Sequence, residues 1–232
     1  MTPKDFPQDY TAVRWLGEGS VGDVWLAQHR ETGGHCAIKI LHTQGDTRGS
    51  AERSFNREVR AMAKLSHPSI IEVYDFGRTI KGSPFVAIEN VPGHSLGSYV
   101  KGAWTWPQLW GVMDGILAGL NHAHSRELVH RDLKPNNILV IPMVSGLGAI
   151  KIVDFGIALT MPDADKVGRR IEGTPAYIAP EAAQGQISSI GPWTDLYSFG
   201  VILYEILTGR LPFYGRNLLN HHQHTPPPEL HI

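Results

Sequence analysis

The dipeptide Pro92-Gly93 separates two parts of the chain with different hydrophobic patterns, and this division limits the possible folds more than any other feature. The first part contains short runs of β-branched and aromatic residues, which predict strands at 10–16, 23–29, 35–41, 70–77 and 84–89. A helix beginning near Ser50 interrupts these strands, because apolar residues recur there at helical spacing. The second part is dominated by helical patterns, which predict helices at 107–125 and 194–208. We therefore expect an α+β fold with a small strand-rich lobe and a larger helical lobe.

Charge and cysteine content exclude several classes of protein. The 232 residues carry 21 basic and 22 acidic side chains, and the formal net charge of -1 provides no general attraction for nucleic acid or an anionic membrane. The single cysteine, Cys36, excludes an internal disulfide framework and is typical of a reducing compartment. The longest apolar stretch, 140–152, is interrupted by proline and glycine and is shorter than the roughly 20 residues that span a bilayer. We therefore expect a cytoplasmic chain that contacts neither nucleic acid nor membrane.

A glycine-rich segment with Gly17, Gly19 and Gly22 lies between the first two predicted strands. Dinucleotide-binding folds use similar glycines, and an ordinary tight turn is a further interpretation. In this chain a strand pattern beginning at Val24 follows the glycines, whereas a dinucleotide-binding fold requires a helix there. The context favours a β-hairpin that covers phosphates, because the backbone N–H groups of glycines can approach phosphate oxygens without a Cβ in the way.

Lys39 lies within an apolar strand, where an unpaired ammonium group would be costly. It therefore needs an anionic partner, and Glu58 on the following helix is the candidate. Such a pair is suited to hold the phosphates of a nucleotide, whereas a lone lysine on an edge strand is the alternative interpretation.

The strongest functional signal is the segment at 130–137, His-Arg-Asp-Leu-Lys-Pro-Asn-Asn, with Asp154 of a later Asp-Phe-Gly. Asp132 provides a carboxylate that accepts a hydroxyl proton, and Lys134 provides a positive charge that neutralises a moving phosphoryl group. Asn137 and Asp154 provide the amide and carboxylate oxygens that Mg²⁺ prefers. Together these groups predict phosphoryl transfer.

The order of these segments resembles that of the eukaryotic-type protein kinase family, and the resemblance extends from Tyr10 to the end of the chain. The glycine loop, Ala-Ile-Lys at 37–39, His-Arg-Asp, Asp-Phe-Gly and Ala-Pro-Glu at 179–181 all follow the family order. The resemblance implies a two-lobed protein-kinase-like fold with ATP and Mg²⁺ in the cleft between the lobes. It implies one kinase domain over 10–232, with an N-lobe at about 10–89, a hinge at about 89–93 and a C-lobe at about 94–232.

The resemblance also assigns residues to the reaction and to the nucleotide. The catalytic residues that it implies are Asp132, Lys134, Lys39 and Glu58, and the Mg²⁺ ligands are Asn137 and Asp154. The residues that it assigns to ATP are Leu16, Gly17, Gly19, Gly22, Val24, Ala37, Lys39, Glu89, Val91 and Leu139. Glu89 and Val91 contribute backbone groups to adenine in this assignment. Asp195 anchors a stack of side chains that includes His130 and Phe155.

Two features resemble serine/threonine kinases more than tyrosine kinases, namely Lys134 of Asp-Leu-Lys-Pro and Thr174 of Gly-Thr-Pro-Ala-Tyr. Thr174 is interpreted as a structural partner of Asp132 and Lys134. We therefore expect a bacterial-type, ATP-dependent protein serine/threonine kinase that acts on Ser and Thr hydroxyls of protein substrates. The alternative is a pseudokinase scaffold that binds nucleotide without efficient catalysis, although Lys39, Asp132 and Asp154 are all present. A small-molecule phosphotransferase is a third interpretation, which Thr174 disfavours.

The chain departs from the family pattern at two places. Extra residues near 142–148 are expected to lengthen a hairpin under the active site. The family's usual further helices do not follow Phe213, so we expect a C-terminally truncated domain with an exposed patch on the helix at 194–208 and no partner for Glu181. In bacterial relatives a linker and a membrane anchor often follow the domain, so an anchor outside this chain is one expectation for the full-length protein.

Two groups of residues receive structural interpretations. Cys36 is expected to fill a small apolar space, and the tryptophans at the start of the helix at 107–125 are expected to pack there. These tryptophans are Trp104, Trp106 and Trp110. The histidines near the C-terminus are expected to lie on a solvated helix end and tail, because no carboxylate or cysteine accompanies them as a metal ligand. These histidines are His221, His222, His224 and His231.

Arg131 resembles the arginine that in many kinases binds a phosphate on the activation segment, here 154–181. Thr160 is too close to the start of this segment to carry that phosphate. The carboxylates available in its place are Glu172, Asp163 and Asp165. We therefore predict that phosphatase treatment leaves the initial rate almost unchanged, whereas Glu172→Gln lowers it if this residue is the substitute. A loss of about tenfold on dephosphorylation, traced to the segment by mass spectrometry, would contradict this prediction.

Overall fold

The computed structural model describes residues 3–19, 22–42, 50–142, 148–155 and 174–230. These residues form two compact units. The first contains the described residues up to 66 together with 71–92, and the second contains 67–70 and the described residues from 93 onward. Among the described residues, no helix is both long and apolar enough to span a membrane.

An antiparallel sheet of five strands dominates the first unit. The strands are β1 (Tyr10–Gly19), β2 (Gly22–His29), β3 (His35–Leu41), β4 (Val73–Arg78) and β5 (Pro84–Ile88), in the order β1-β2-β3-β5-β4. Alternating apolar side chains bury one face in a core that includes Phe6, Trp25 and Ile38. Cys36 is 4% exposed and belongs to the same core, which confirms its interpretation as a small apolar filler.

Helix α1 (Ser50–Met62) is the only α-helix among the described residues of the first unit. Phe55, Val59 and Met62 lie on one face at i, i+4 and i+7, and all three are buried. The predicted helix and its apolar face are confirmed.

The second unit is mainly helical. Its α-helices are α2 (Trp106–His124), α3 (Pro180–Ala183), α4 (Pro192–Thr208) and α5 (Leu218–His224), with short 3₁₀ turns at Leu96–Ser98, Pro135–Asn137 and Ile187–Ser189. The N-terminus of α2 is fixed by Gln108, whose side-chain oxygen accepts the Thr105 N–H at 3.0 Å. Gly209, with φ of 70°, ends α4 in the left-handed conformation that glycine adopts most easily.

A small antiparallel sheet positions Asn137 and Asp154, the two predicted Mg²⁺ ligands. Its strands are β6 (His94–Ser95), β7 (Ile138–Val140) and β8 (Ile150–Ile152), in that order. Ile138 pairs with Ile152, so the residue before β7 and the residue after β8 lie at the same end. The Val153 N–H accordingly donates to the Asn137 carbonyl at 2.9 Å. Residues 143–147 of the predicted longer hairpin lie outside the described residues.

The predicted α+β class, with strands in the first part and helices in the second, is confirmed. The packing predicted for two tryptophans is wrong, because Trp106 and Trp110 are 72% and 68% exposed. Neither belongs to the buried residues of α2, which include Leu109, Val112 and Ile116. Trp104 is half-buried, and its indole N–H donates to the Tyr99 carbonyl.

Candidate active site

The loop that carries Asp132 is held by a buried carboxylate on α4. Asp195 is 1% exposed and accepts hydrogen bonds from the backbone N–H groups of His130 and Arg131, at 2.8 and 2.9 Å. His124 Nε2 lies 2.7 Å from the same carboxylate. These contacts hold Arg131 at φ of 68°, a left-handed conformation that is unfavourable for a side chain of this size. Asp195 thus makes three hydrogen bonds, two to the loop that carries Asp132 and one to His124 of α2, and its role as the anchor of the stack of side chains stays a prediction.

His130 connects this loop to the end of β8. The ring is fully buried, and Nε2 lies 2.9 Å from the Val153 carbonyl oxygen. Nδ1 accepts the Asp132 N–H at 3.3 Å, so a neutral ring with its hydrogen on Nε2 satisfies both contacts. Phe155 packs against this ring at a centroid distance of 4.7 Å. The orientation of Asp132 thus depends on a histidine that has no contact with solvent.

The Asp132 carboxylate is the centre of a polar cluster. Oδ2 accepts from Lys134 Nζ at 2.7 Å, and Oδ1 accepts from both the N–H and the hydroxyl of Thr174, at 2.9 and 2.8 Å. Lys134 Nζ also donates to Thr174 Oγ1 at 2.8 Å. The predicted partnership of Thr174 with Asp132 and Lys134 is confirmed. About a fifth of each side chain in the Lys134–Asp132 ion pair is exposed, so the pair remains accessible to a reactant.

Asn137 and Asp154 have the donor atoms of a magnesium site. The Asn137 amide nitrogen donates to the Asp132 carbonyl oxygen at 2.8 Å and to Oδ2 of the Asp132 carboxylate at 3.4 Å, which leaves the amide oxygen as the group that Asn137 can offer to a cation. Asp154 follows Val153 directly and has φ of 60°, a conformation that aspartate adopts more readily than most residues. One amide oxygen and one carboxylate fit Mg²⁺, which needs few protein oxygens because it keeps several waters and binds phosphates. Elsewhere among the described residues, no three His, Cys, Asp or Glu side chains form a metal cluster.

Three hydrogen bonds connect the segment from Thr174 to Glu181 with α4. Tyr177 donates its hydroxyl to Glu205 at 2.7 Å, and Ser198 donates to the Tyr177 carbonyl at 2.8 Å. Burial, together with the Glu205 carboxylate, raises the pKa of the Tyr177 phenol above its ordinary value. Glu181 accepts from Thr194 Oγ1 at 2.6 Å, so the prediction that Glu181 has no partner is wrong. The sequence alone contains no local signal for these contacts, because each joins residues at least 13 positions apart.

Lys39 and Ala37 lie in the central strand of the first unit. Both are buried, at 7% and 6% exposure, and Lys39 pairs with Val24 on β2 and Val86 on β5. The strand position predicted for Lys39 is confirmed, and it is central, so the edge-strand interpretation is wrong. Glu58 lies on α1, but its side chain is outside the described part of the structure, so the Lys39–Glu58 pair remains a prediction.

The glycines at the start of the chain form the predicted hairpin. Gly17 pairs with Val24, and Gly19 pairs with Gly22 across β1 and β2, while residues 20–21 lie outside the description. A Cβ at Gly22 would collide with the Ile40 carbonyl of β3, whereas no described heavy atom lies within 4 Å of a Cβ built at Gly17. Gly22 is therefore required by strand packing, and Gly17 has no such structural requirement.

The other residues predicted to bind the nucleotide either follow a strand, where their backbone groups are the predicted contacts, or have partly exposed side chains. Glu89 donates its N–H to the Glu72 carbonyl at 2.9 Å, so the Glu89 carbonyl is the backbone group that it can offer to a ligand. Val91 follows β5, Leu139 lies in β7, and Leu16 in β1 is 38% exposed. The activation-segment residues Thr160, Asp163, Asp165 and Glu172 lie outside the described residues.

Comparisons with known proteins agree with this arrangement. The family model described as "Protein kinase domain" matches residues 10–227. The chain is 35% identical to the serine/threonine-protein kinase Pkn1 of Myxococcus xanthus, over 94% of this chain and 32% of that protein. It is 36% identical to the serine/threonine-protein kinase PknA of Mycobacterium tuberculosis, over 95% of this chain and 52% of that protein. The chain thus spans between about a third and half of the length of these curated relatives.

A solved structure shows the same fold. The crystal structure of the Mycobacterium tuberculosis PknI kinase domain superposes with a TM-score of 0.72 at 26% identity, over 95% of this chain and 79% of that chain. The family match covers most of the chain, and the site carries the family's motifs in their family order. The chain therefore belongs to the eukaryotic-type serine/threonine protein kinase family.

Proposed function

We propose that this chain is the catalytic domain of a protein serine/threonine kinase, which transfers the γ-phosphoryl group of ATP to Ser or Thr hydroxyls of protein substrates. The observation that carries this proposal is the Asp132 carboxylate, held by Lys134 and Thr174 in one accessible cluster. No described residue favours the pseudokinase alternative, because Lys39, Asp132 and Asp154 all have the side chains that the reaction requires.

Asp132 orients the acceptor hydroxyl and receives its proton as the oxygen attacks phosphorus. Carboxylates act as such bases when they lie within about 2.6–3.2 Å of the proton donor. The Thr174 hydroxyl donates to Asp132 Oδ1 at 2.8 Å, which is the kind of hydrogen bond that this proposal assigns to the acceptor hydroxyl. Lys134 supplies positive charge beside the same carboxylate, where the transferring phosphoryl group accumulates negative charge.

ATP is assigned to the glycine hairpin, to Ala37 and Lys39 of β3, to the backbone groups of Glu89 and Val91, and to the apolar side chains of Leu16, Val24 and Leu139. Asn137 and Asp154 would hold Mg²⁺, which neutralises phosphate charge when bound. Lys39 is suited to binding phosphates because it is a buried cation in the central strand of its sheet. Glu58 is proposed as the group that orients it.

The proposed domain extends over 10–232, with lobes at about 10–89 and 94–232 and a hinge at about 89–93. Besides ATP and Mg²⁺, the proposal includes only protein substrates as partners, because the net charge of -1 does not favour binding to nucleic acid. A cytoplasmic location is proposed for the domain on the basis of its single, buried and unpaired cysteine.

A peptide series tests the substrate class. Three peptides of identical sequence that present Ser, Thr or Tyr as the only hydroxyl are incubated with the chain, labelled ATP and Mg²⁺. We expect label on the Ser and Thr peptides and none above background on the Tyr peptide. Preferential labelling of the Tyr peptide would contradict the proposed acceptor class while leaving the phosphotransferase assignment intact.

A pair of glycine substitutions separates nucleotide binding from folding. Gly17→Ala has room for its Cβ, so we expect unchanged stability and a KM for ATP that rises about fivefold, the effect of one backbone hydrogen bond of about 1 kcal/mol. Gly22→Ala is expected to destabilise the fold by about 1–3 kcal/mol, because its Cβ collides with the backbone of β3. Thermal unfolding and steady-state kinetics measure both effects. An unchanged KM for ATP in Gly17→Ala would contradict the assignment of the hairpin to the nucleotide site.

A further inference from the structure

Helix α2 carries an apolar stripe whose N-terminal part is exposed. Trp106 and Trp110 are 72% and 68% exposed, Leu117 is 37% exposed, and Met113 is half-buried. These four residues, which we call the outer seam, are spaced by four, three and four positions. Because side chains three and four positions apart are neighbours on a helix, the outer seam lies along one side of α2.

The same spacing continues toward the C-terminus of α2, where the stripe is covered. Leu120 is 1% exposed, and His124 Nε2 lies 2.7 Å from the Asp195 carboxylate of α4. The side of α2 that faces the core is formed by other buried residues, which include Leu109, Val112 and Ile116. The outer seam is therefore a second apolar side of the helix, and the described part of the chain leaves it open to solvent.

The exposed side of α2 has the composition of a protein interface. Asp114 is the only Asp, Glu, Lys or Arg between positions 106 and 124, although a helix in contact with water usually has a charged outer face. Interface centres are depleted of charged residues and enriched in aromatic residues and Met, and tryptophan is prominent among the residues that dominate binding. The outer seam contains two Trp and one Met, so it fits a protein partner better than it fits solvent.

The spacing of the outer seam is the one by which two helices pack along each other, and a second copy of α2 fits it when the helices run antiparallel. Trp106 then faces Leu117 of the second copy, and Trp110 faces its Met113. Each layer thus combines a large side chain with a smaller one, as close packing requires. A parallel pair would place Trp against Trp in two layers and the two Asp114 carboxylates at the same height, whereas the antiparallel pair offsets them by about 7.5 Å along the helix axes.

The area of the outer seam indicates how strong such a contact should be. A tryptophan side chain presents about 150–250 Å², so the exposed parts of the two indoles provide roughly 200–350 Å² in each chain. The largest apolar patch on a monomeric protein is typically about 300–600 Å² and is often functional. Two copies of the outer seam bury less than the roughly 1,200 Å² at which stable interfaces begin, so the association should be weak and reversible.

We propose that the outer seam is a self-association surface, through which the α2 helices of two copies of this chain pair in an antiparallel arrangement. The inference goes beyond the proposed kinase function and is independent of it, because no residue of the outer seam belongs to the Asp132 cluster or to the residues assigned to ATP.

Sedimentation equilibrium of the 232-residue chain across the micromolar range tests the association. We expect the mass to rise with concentration from 25.6 kDa toward twice that value. Trp110→Lys and Met113→Glu each place a charge in the central layers, so each alone should raise the Kd of the dimer at least about tenfold. Tyr214→Lys is the matched control, because Tyr214 is 79% exposed and lies outside α2, and we expect it to associate as the wild type does.

An equimolar mixture of Trp110→Lys and Met113→Glu tests the antiparallel pairing. In this arrangement the introduced lysine of one chain faces the introduced glutamate of the other, and the second central layer keeps its native Trp and Met. We therefore expect the mixture to form a heterodimer at concentrations where neither variant associates alone. If Met113→Glu does not fold, Trp106→Lys and Leu117→Glu provide the same test in the outer layers, because both positions are exposed.

A wild-type chain that keeps the monomer mass would overturn the proposal and assign the outer seam to another occupant, a further segment of polypeptide or a different protein. Wild-type association in Trp110→Lys, or its loss in Tyr214→Lys, would also overturn it, and a mixture that stays monomeric would overturn the antiparallel pairing. A chain that dimerises as expected but transfers no phosphoryl group would overturn the proposed function and leave this inference intact.

Discussion

Replacing Asp132 by asparagine is expected to lower kcat by about 10²–10⁴, the usual contribution of a positioned base. The substitution keeps the shape of the side chain but places an amide group where two carboxylate oxygens now accept hydrogen bonds from Lys134, from Asn137 and, twice, from Thr174. One of those oxygens faces Lys134 Nζ at 2.7 Å, and an amide cannot take up the proton of the acceptor hydroxyl. ATP affinity should change little, because the Asp132 cluster is assigned to the acceptor. Initial rates and nucleotide binding by calorimetry measure the two effects separately.

Asp114→Asn is the matched control for this experiment. Asp114 lies on the exposed face of α2, and the same charge is removed from the chain without a change to the cluster. We expect wild-type kinetics from this control. Activity near the wild-type level in purified Asp132→Asn protein would contradict the assignment of Asp132 as the base.

Asp195→Asn is expected to reduce both stability and activity. Asp195 Oδ2 accepts the His130 N–H and faces His124 Nε2, and Oδ1 accepts the Arg131 N–H. In either orientation, an amide group would turn its NH₂ toward at least one of these donors. A buried N–H that loses its acceptor costs about 1–3 kcal/mol, and each kcal/mol corresponds to about 2–4 °C in Tm for a chain of this length.

The activity loss in Asp195→Asn should exceed what unfolding explains, because Arg131 would no longer be held in its left-handed conformation and Asp132 would lose its orientation. Thermal unfolding and kcat, measured well below the Tm, test both parts. A variant with wild-type Tm and wild-type kcat would show that the loop is held by other contacts.

The sequence predicts those parts of the site that depend on short segments. Residues 17–19 pair with residues 22–24 in the expected hairpin, because glycine spacing and the following β-branched residue are local signals. Lys134 and Asp132 lie two positions apart in one loop, so their contact also follows from neighbouring residues. Phe55, Val59 and Met62 are buried as their spacing predicts.

Contacts between distant segments could not be predicted from the sequence in the same way. The Thr194–Glu181 and Tyr177–Glu205 bonds depend on how α3 and α4 pack, and no spacing rule connects these positions. His222 is polar and lies near the end of the chain, so composition suggests a solvated position, but the rings of Tyr197 and Phe213 cover it. For Trp106 and Trp110 the prediction errs in the opposite sense, since both are apolar and yet exposed. Apolar character alone does not decide which face of α2 is buried.

Transfer of radiolabel from γ-labelled ATP to a generic Ser/Thr protein substrate is the most direct test of the proposed kinase activity. The purified 232-residue chain is incubated with Mg²⁺ and the substrate, and phosphoserine and phosphothreonine are identified after hydrolysis of the product. We predict Mg²⁺-dependent incorporation that is linear with time and slower by about 10²–10⁴ in Asp132→Asn. A folded chain that binds ATP, as shown by calorimetry, and yet transfers no label to any Ser or Thr acceptor would contradict the proposed activity and support a nucleotide-binding scaffold.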